Sequence, residues 1–103
     1  MDLELTGKRA IVTGGSRGIG KVIAQVLLAE GVDVAILARG REQLESTARA
    51  LSVESGRTVL PLVADTSLRT EVDAAIHTAI DKLGGVDILV NSAALPGGSS
   101  KAT

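Results

Sequence analysis

The chain has 103 residues, with 11 Lys and Arg against 12 Asp and Glu, and it contains no cysteine and no Phe, Tyr or Trp. That length holds one domain near the lower end of the usual ~100–150 residues, and the balanced charge offers no basic field for nucleic acid. Disulfides, thiolate metal sites, an aromatic platform for single-stranded nucleic acid and a tyrosine acid are all excluded.

The core must therefore be aliphatic. The start Met1-Asp2-Leu3-Glu4 lacks the basic and apolar regions of a signal peptide, which makes a cytoplasmic location the default expectation. No apolar run approaches the ~20 residues that cross a bilayer.

In chain order, Lys8 to Thr13 is a short β-branched run ending in glycine and reads as a first strand buried on both faces. From Gly18 the period becomes helical, with Ile19, Val22, Ile23, Val26 and Leu27 on the expected sheet-facing side and Gly31 as the stop. Val32 to Ala38 repeats the strand pattern. Arg39-Gly40-Arg41 then leads into a second helix with Leu44, Ala48 and Leu51 on one face and Gly56 at its end. Thr58 to Val63 forms a third strand, in which Pro61 predicts an edge position or a strand end because proline lacks a ladder donor. Ser67 is the expected cap of a third helix with the stripe Leu68, Val72, Ala75, Ile76, Ala79, Ile80 and Leu83, stopped by Gly84-Gly85. Val86 to Val90 is the fourth strand. The segment 96–103 reads as a loop or truncated end, and 1–95 as one domain part.

The order β-α-β-α-β-α-β requires a parallel sheet with right-handed crossovers. The predicted class is α/β, a Rossmann-like doubly wound parallel sheet, incomplete, with four strands and three helices.

Glycines 14, 18 and 20 stand where the first strand hands over to the first helix, where backbone N–H groups and the helix dipole favour a phosphate. Gly14 permits the tight turn, Gly18 lets the backbone approach a pyrophosphate, and Gly20 lets helix and strand lie close. The spacing is G-x-x-x-G-x-G rather than the general G-x-G-x-x-G fingerprint. A mere connecting turn is the bland reading, disfavoured by the strand, the helix and the three further units around it. A P-loop is the nearest rival, since Gly15 to Lys21 satisfies G-x-x-x-x-G-K. It fails at Val22, where Ser or Thr should hold magnesium.

Thr13-Gly14-Gly15-Ser16-Arg17-Gly18-Ile19-Gly20 resembles the T-G-x-x-x-G-I-G signature of the short-chain dehydrogenase/reductase family. Arg39, Asp65 and Asn91-Ser92-Ala93-Ala94 follow the second, third and fourth strands in agreement, the last resembling N-N-A-G with two substitutions. Within the family the resemblance leans toward reductases of the 3-oxoacyl-carrier-protein type. It implies that Gly14, Ser16, Arg17, Gly18 and Ile19 line the pyrophosphate and adenosine ribose, with Gly20 supporting the turn. Asp65 and Thr66 are implied at the adenine. Asn91 and Ala93 are implied along the ribose toward the nicotinamide, with Asn91 also tying strands together.

Charge extends this implication. An NAD site generally carries an acid after the second strand, which repels a 2′-phosphate, whereas this chain has Arg39 there. A guanidinium fork suits phosphate, and Arg17 is a second cation for the same group, so NADP is favoured over NAD. The plain alternative for either arginine is a solvated surface charge.

The family's chemistry uses Ser, Tyr and Lys, the latter two as Tyr-x-x-x-Lys, and this chain has no Tyr. The expectation is therefore an N-terminal cofactor-binding part of an oxidoreductase that moves a hydride between NADP(H) and a carbonyl or alcohol substrate. No catalytic residue and no metal site are assigned. The complete enzyme is expected to be a homo-oligomer, without nucleic-acid or membrane partners. The alternative is a non-catalytic NADP-binding or regulatory module. His77 is expected on the surface, Asp33, Asp73, Asp81 and Asp87 show no metal spacing, and Ser99 and Ser100 lack a nucleophile elbow. Ile88-Leu89-Val90 is apolar on both faces with no fifth strand following it, which predicts a hydrophobic edge and a chain that is poorly soluble in isolation or needs the missing half, as further residues or as a second chain.

Overall fold

In the computed structural model, residues 5–14 and 18–92 are described. Met1 to Glu4, and the 96–103 segment read as a loop, lie outside them, as do Ser99 and Ser100. The elements are β1 (Arg9–Thr13), α1 (Gly18–Ala29), β2 (Asp33–Ala38), α2 (Arg41–Ser55), β3 (Val59–Val63), α3 (Arg69–Leu83) and β4 (Ile88–Asn91). All pairings are parallel and the strand order is β3-β2-β1-β4. This is the expected Rossmann-like α/β arrangement of four strands and three helices.

Alternation along the strands divides the apolar residues between two faces. Val12, Val34 and Ile36 pack with Ala24 and Leu28 of α1 and with Leu44, Ala48 and Leu51 of α2. Ile11, Ala35, Leu37 and Leu62 pack with Ala75 and Ala79 of α3 on the opposite face. The doubly wound reading follows from this division, because β1 and β2 carry aliphatic residues toward both layers. Pro61 lies within β3, at one edge of the sheet, where its missing donor costs no ladder bond on the β2 side.

Three expectations are corrected. The sheet-facing side of α1 is built on Gly20, Ala24 and Leu28, with Ile23 and Leu27 partly packed, whereas Ile19, Val22 and Val26 are 74%, 55% and 55% exposed. Close approach explains this: small residues at 20 and 24 let the helix axis sit near β1, and the larger side chains are rotated away. In α3, Ala75 and Ala79 carry the buried contact while Leu68 and Ile80 stay exposed. Ser67 does not cap α3. The N-cap position is Leu68, without a side-chain cap bond, and the Ser67 hydroxyl instead donates to Asp65 Oδ1 at 2.6 Å. A carboxylate two residues upstream captures the hydroxyl that sequence pattern assigns to the helix.

Strand β4 lies at the other edge of the described sheet, with Ile88 and Val90 packed against the α1/α2 layer and Leu89 exposed on the opposite face. Its approach is held from below by Asp87, which accepts from the Arg9 backbone N–H at 2.9 Å and from Arg9 Nε at 3.2 Å. Arg9 Nη1 also donates to Gly84 O at 2.9 Å, tying the end of α3 to β1.

Candidate cofactor-binding site

Parallel strands bring all their carboxyl ends to one edge, so four segments far apart in sequence meet there. Gly14 follows β1, Arg39 follows β2, Asp65 and Thr66 follow β3, and Asn91 ends β4. Backbone bonds lock the neighbours: Gly14 N–H donates to Leu37 O at 2.7 Å and Ala64 N–H to Ala38 O at 3.0 Å. The chain runs from β1 outward to β3 and then returns to place β4 on the other side of β1. Such a switch point opens a crevice above the strand ends, the usual place for a ligand in an open α/β sheet.

At this crevice the β1–α1 connection has Gly14 at φ 73° and Gly18 at φ 64°, in the left-handed region that a side chain disfavours. Helix α1 starts at Gly18 and presents its amino end to the crevice. A Cβ on Gly20 would lie 2.2 Å from Gly14 O and 2.6 Å from Ser92 Oγ, so only glycine fits the junction of helix, turn and β4 end. Among the described residues, a Cβ on Gly18 meets nothing within 4 Å. Positive-φ glycines at 14 and 18, a helix amino end at Gly18 and a tightly packed third glycine fit a pyrophosphate.

Beside the turn, Thr13 joins β1 to β4. Its hydroxyl lies 2.9 Å from Asn91 Oδ1 and 3.3 Å from Val90 O, and it accepts the Ser92 N–H at 3.2 Å. The Ser92 hydroxyl in turn donates to Thr13 O. Asn91 thus meets the neighbouring strand through its side chain. Thr13 and Ser92 were not among the candidate residues, and their signal was present in part: a hydroxyl at a strand end facing a second polar strand end.

At the β2–β3 side, Asp65 is anchored and Arg39 is loose. Asp65 Oδ1 accepts the Ser67 N–H at 2.9 Å and the Ser67 hydroxyl at 2.6 Å, and the Asp65 N–H donates to Glu71 Oε1 at 2.8 Å. Its other oxygen, Oδ2, faces Arg39 Nη1 at 3.6 Å. The Arg39 side chain is 79% exposed against 25% for Asp65. Hydrogen bonds from Ser67, first from its hydroxyl and then from its backbone, hold the Asp65 carboxyl below the usual carboxylate range, with Arg39 adding to the effect.

Of the candidate residues, Gly14, Gly18, Ile19, Gly20, Arg39, Asp65, Thr66 and Asn91 line or adjoin this end of the sheet. Ile19 is solvent-facing in the first turn of α1, and Thr66 is exposed beside Asp65. Ser16, Arg17 and Ala93 lie outside the described residues. His77 is exposed on α3, with its ring nitrogen 3.0 Å from Asp73 O. Asp33 pairs with Arg57 at 2.6 Å and Asp87 with Arg9 at 3.2 Å. Among the described residues no three His, Cys, Asp or Glu side chains gather as a metal site, and no helix is long and apolar enough to cross a membrane.

Comparison with known proteins agrees with this geometry. The family model described as short chain dehydrogenase matches residues 8–103. A peroxisomal 2,4-dienoyl-CoA reductase from Danio rerio is 38% identical over 90 residues, which are 87% of this chain and 30% of that protein. The L-sorbose reductase from Gluconobacter frateurii, solved with NADPH and L-sorbose, superposes with a TM-score of 0.89 at 37% identity, covering 94% of this chain and 37% of that one. A short chain dehydrogenase from Burkholderia cenocepacia in complex with NADP gives a TM-score of 0.81 at 41% identity, covering 88% and 37%. The chain thus spans about a third of the length of the relatives it matches. With the strand order, the glycine turn and the polar strand ends all in agreement, the chain belongs to the short-chain dehydrogenase family of oxidoreductases.

Proposed function

We propose that residues 1–95 form the dinucleotide-binding part of an oxidoreductase that moves a hydride between NADP(H) and a carbonyl or alcohol substrate. The observation that carries the reading is the convergence of the glycine turn, Arg39, Asp65 and Asn91 on one edge of the sheet. Gly14 and Gly18 admit the pyrophosphate, Asp65 and Thr66 take the adenine, and Asn91 lies toward the nicotinamide. Arg39 takes the 2′-phosphate, because an exposed guanidinium attracts a dianion where an acid would repel it. When bound, the cofactor supplies the hydride chemistry. The present residues bind it, orient it and keep the turn open.

Similar solved structures hold NADPH or NADP, among them the L-sorbose reductase and the Burkholderia cenocepacia dehydrogenase, which supports the choice of cofactor. The relatives' names include a 2,4-dienoyl-CoA reductase and an L-sorbose reductase, whose named substrates differ, which supports assigning this part of the chain to the cofactor rather than to a substrate. The reading is tested with two fragments that need only this half. Adenosine 2′,5′-bisphosphate raises the melting temperature of the chain more than 5′-AMP does at equal concentration. Equal shifts, or none, contradict it.

A further inference from the structure

Arg39 and Asp65 are assigned to different parts of one cofactor, yet they face each other. Residue 39 follows β2 and residue 65 follows β3, and the Ala64 N–H bond to Ala38 O fixes these strand ends side by side. Asp65 is held at one oxygen by two donors from Ser67 and at its backbone by Glu71, so it cannot follow a moving partner. Among the described residues Arg39 makes one ion pair, at 3.6 Å to Asp65 Oδ2, and its side chain is largely exposed. Arg41, two residues on, is engaged with Glu45 at 3.3 Å.

We propose that Asp65 tunes the discrimination between NADP(H) and NAD(H), because its free oxygen competes with the 2′-phosphate for the Arg39 guanidinium. The proposal rests on the reading of Arg39 as the 2′-phosphate ligand. A fixed carboxylate and a dianionic phosphate sharing one guanidinium repel each other, and a one-point exposed contact returns little in positioning. Competition therefore outweighs preorganisation. Asp65 lowers the preference for NADP(H) that Arg39 creates, and keeps NAD(H) within reach of the same site.

The test is a double-mutant cycle read as the ratio of NADPH to NADH affinity, by direct titration of wild type, Asp65→Asn, Arg39→Ala and the double variant. Any change at the adenine affects both cofactors equally and cancels in the ratio. Asn keeps an oxygen acceptor for Ser67, so the loop geometry is preserved. Asp65→Asn is expected to raise the ratio about fivefold when Arg39 is present, and by clearly less when it is Ala. Ser67→Ala, which retains the charge, leaves the ratio near wild type. No rise, a fall, or an equal rise in both backgrounds overturns the proposal. An unchanged ratio in Arg39→Ala alone overturns the reading of Arg39 itself, a separately visible result.

Discussion

Thr13 and Asn91 meet across the β1–β4 pair, hydroxyl to side-chain oxygen at 2.9 Å, although they are 78 positions apart. This contact lies at the carboxyl ends of the strands and joins the strand that leads into the glycine turn to β4, the last strand of the described sheet. Thr13→Val keeps the shape and removes the hydroxyl, which leaves Asn91 Oδ1 and the Ser92 N–H without this partner. The expected loss is about 1–2 kcal/mol of folding stability, read as a lower urea midpoint with an unchanged slope. NADPH affinity falls with it. A variant as stable as wild type contradicts the role given to Thr13.

The glycine turn makes a contrast of two alanine substitutions. Gly20→Ala places a methyl 2.2 Å from Gly14 O, a backbone atom that cannot step aside without moving the turn. Gly18→Ala meets no atom of the described residues within 4 Å, and its cost is the strain of φ 64°. Denaturant titration is expected to show Gly20→Ala destabilised by about 3 kcal/mol or more, and Gly18→Ala by about 1 kcal/mol. Equal costs contradict the close approach of α1 to β1.

The orientation of α1 has its own test. Val22→Lys, at a 55% exposed position, is expected to change stability by no more than about 0.5 kcal/mol. Leu28→Ala, in the core, is expected to cost about 2–5 kcal/mol. A large loss in Val22→Lys places the helix in the orientation that periodicity alone suggests.

That difference marks the limit of what the residues disclose before folding. The four strands, three helices and their order are legible because runs such as Ala10-Ile11-Val12 and the stripe Leu44, Ala48, Leu51 carry their own period. The strand-end motifs are legible because each follows a run of that kind. Which stripe of α1 faces the sheet is not, since two overlapping apolar stripes share the helix and the choice depends on how near Gly20 can approach Gly14. Nor is the Arg39 to Asp65 pairing, which exists only because β2 and β3 are adjacent in register. Ser67 obeys the same logic: its cap role is lost to a carboxylate two residues away.

Acid stability follows from two carboxylates. The Asp87 carboxyl is lowered first by the Arg9 backbone N–H and then by the Arg9 side chain, and Asp65 is lowered by Ser67. Both folded values lie below the unfolded ones. Their contribution is therefore fully present above the unfolded value of about 3.9 and is lost as pH falls through the folded values. Melting temperature is expected to drop below about pH 4, and Asp87→Asn to flatten that limb while lowering stability near neutrality. An identical acid limb in Asp87→Asn contradicts the assignment.

On the proposed reading, this strand-end edge selects a 2′-phosphate through Arg39. Its most direct measurement is a binding titration of NADPH and NADH against wild type and Arg39→Asp. Wild type is expected to bind NADPH more tightly, and Arg39→Asp to lose that preference or reverse it, because an acid at this position repels the phosphate. Equal affinities in wild type, or an undiminished preference in Arg39→Asp, contradict the account.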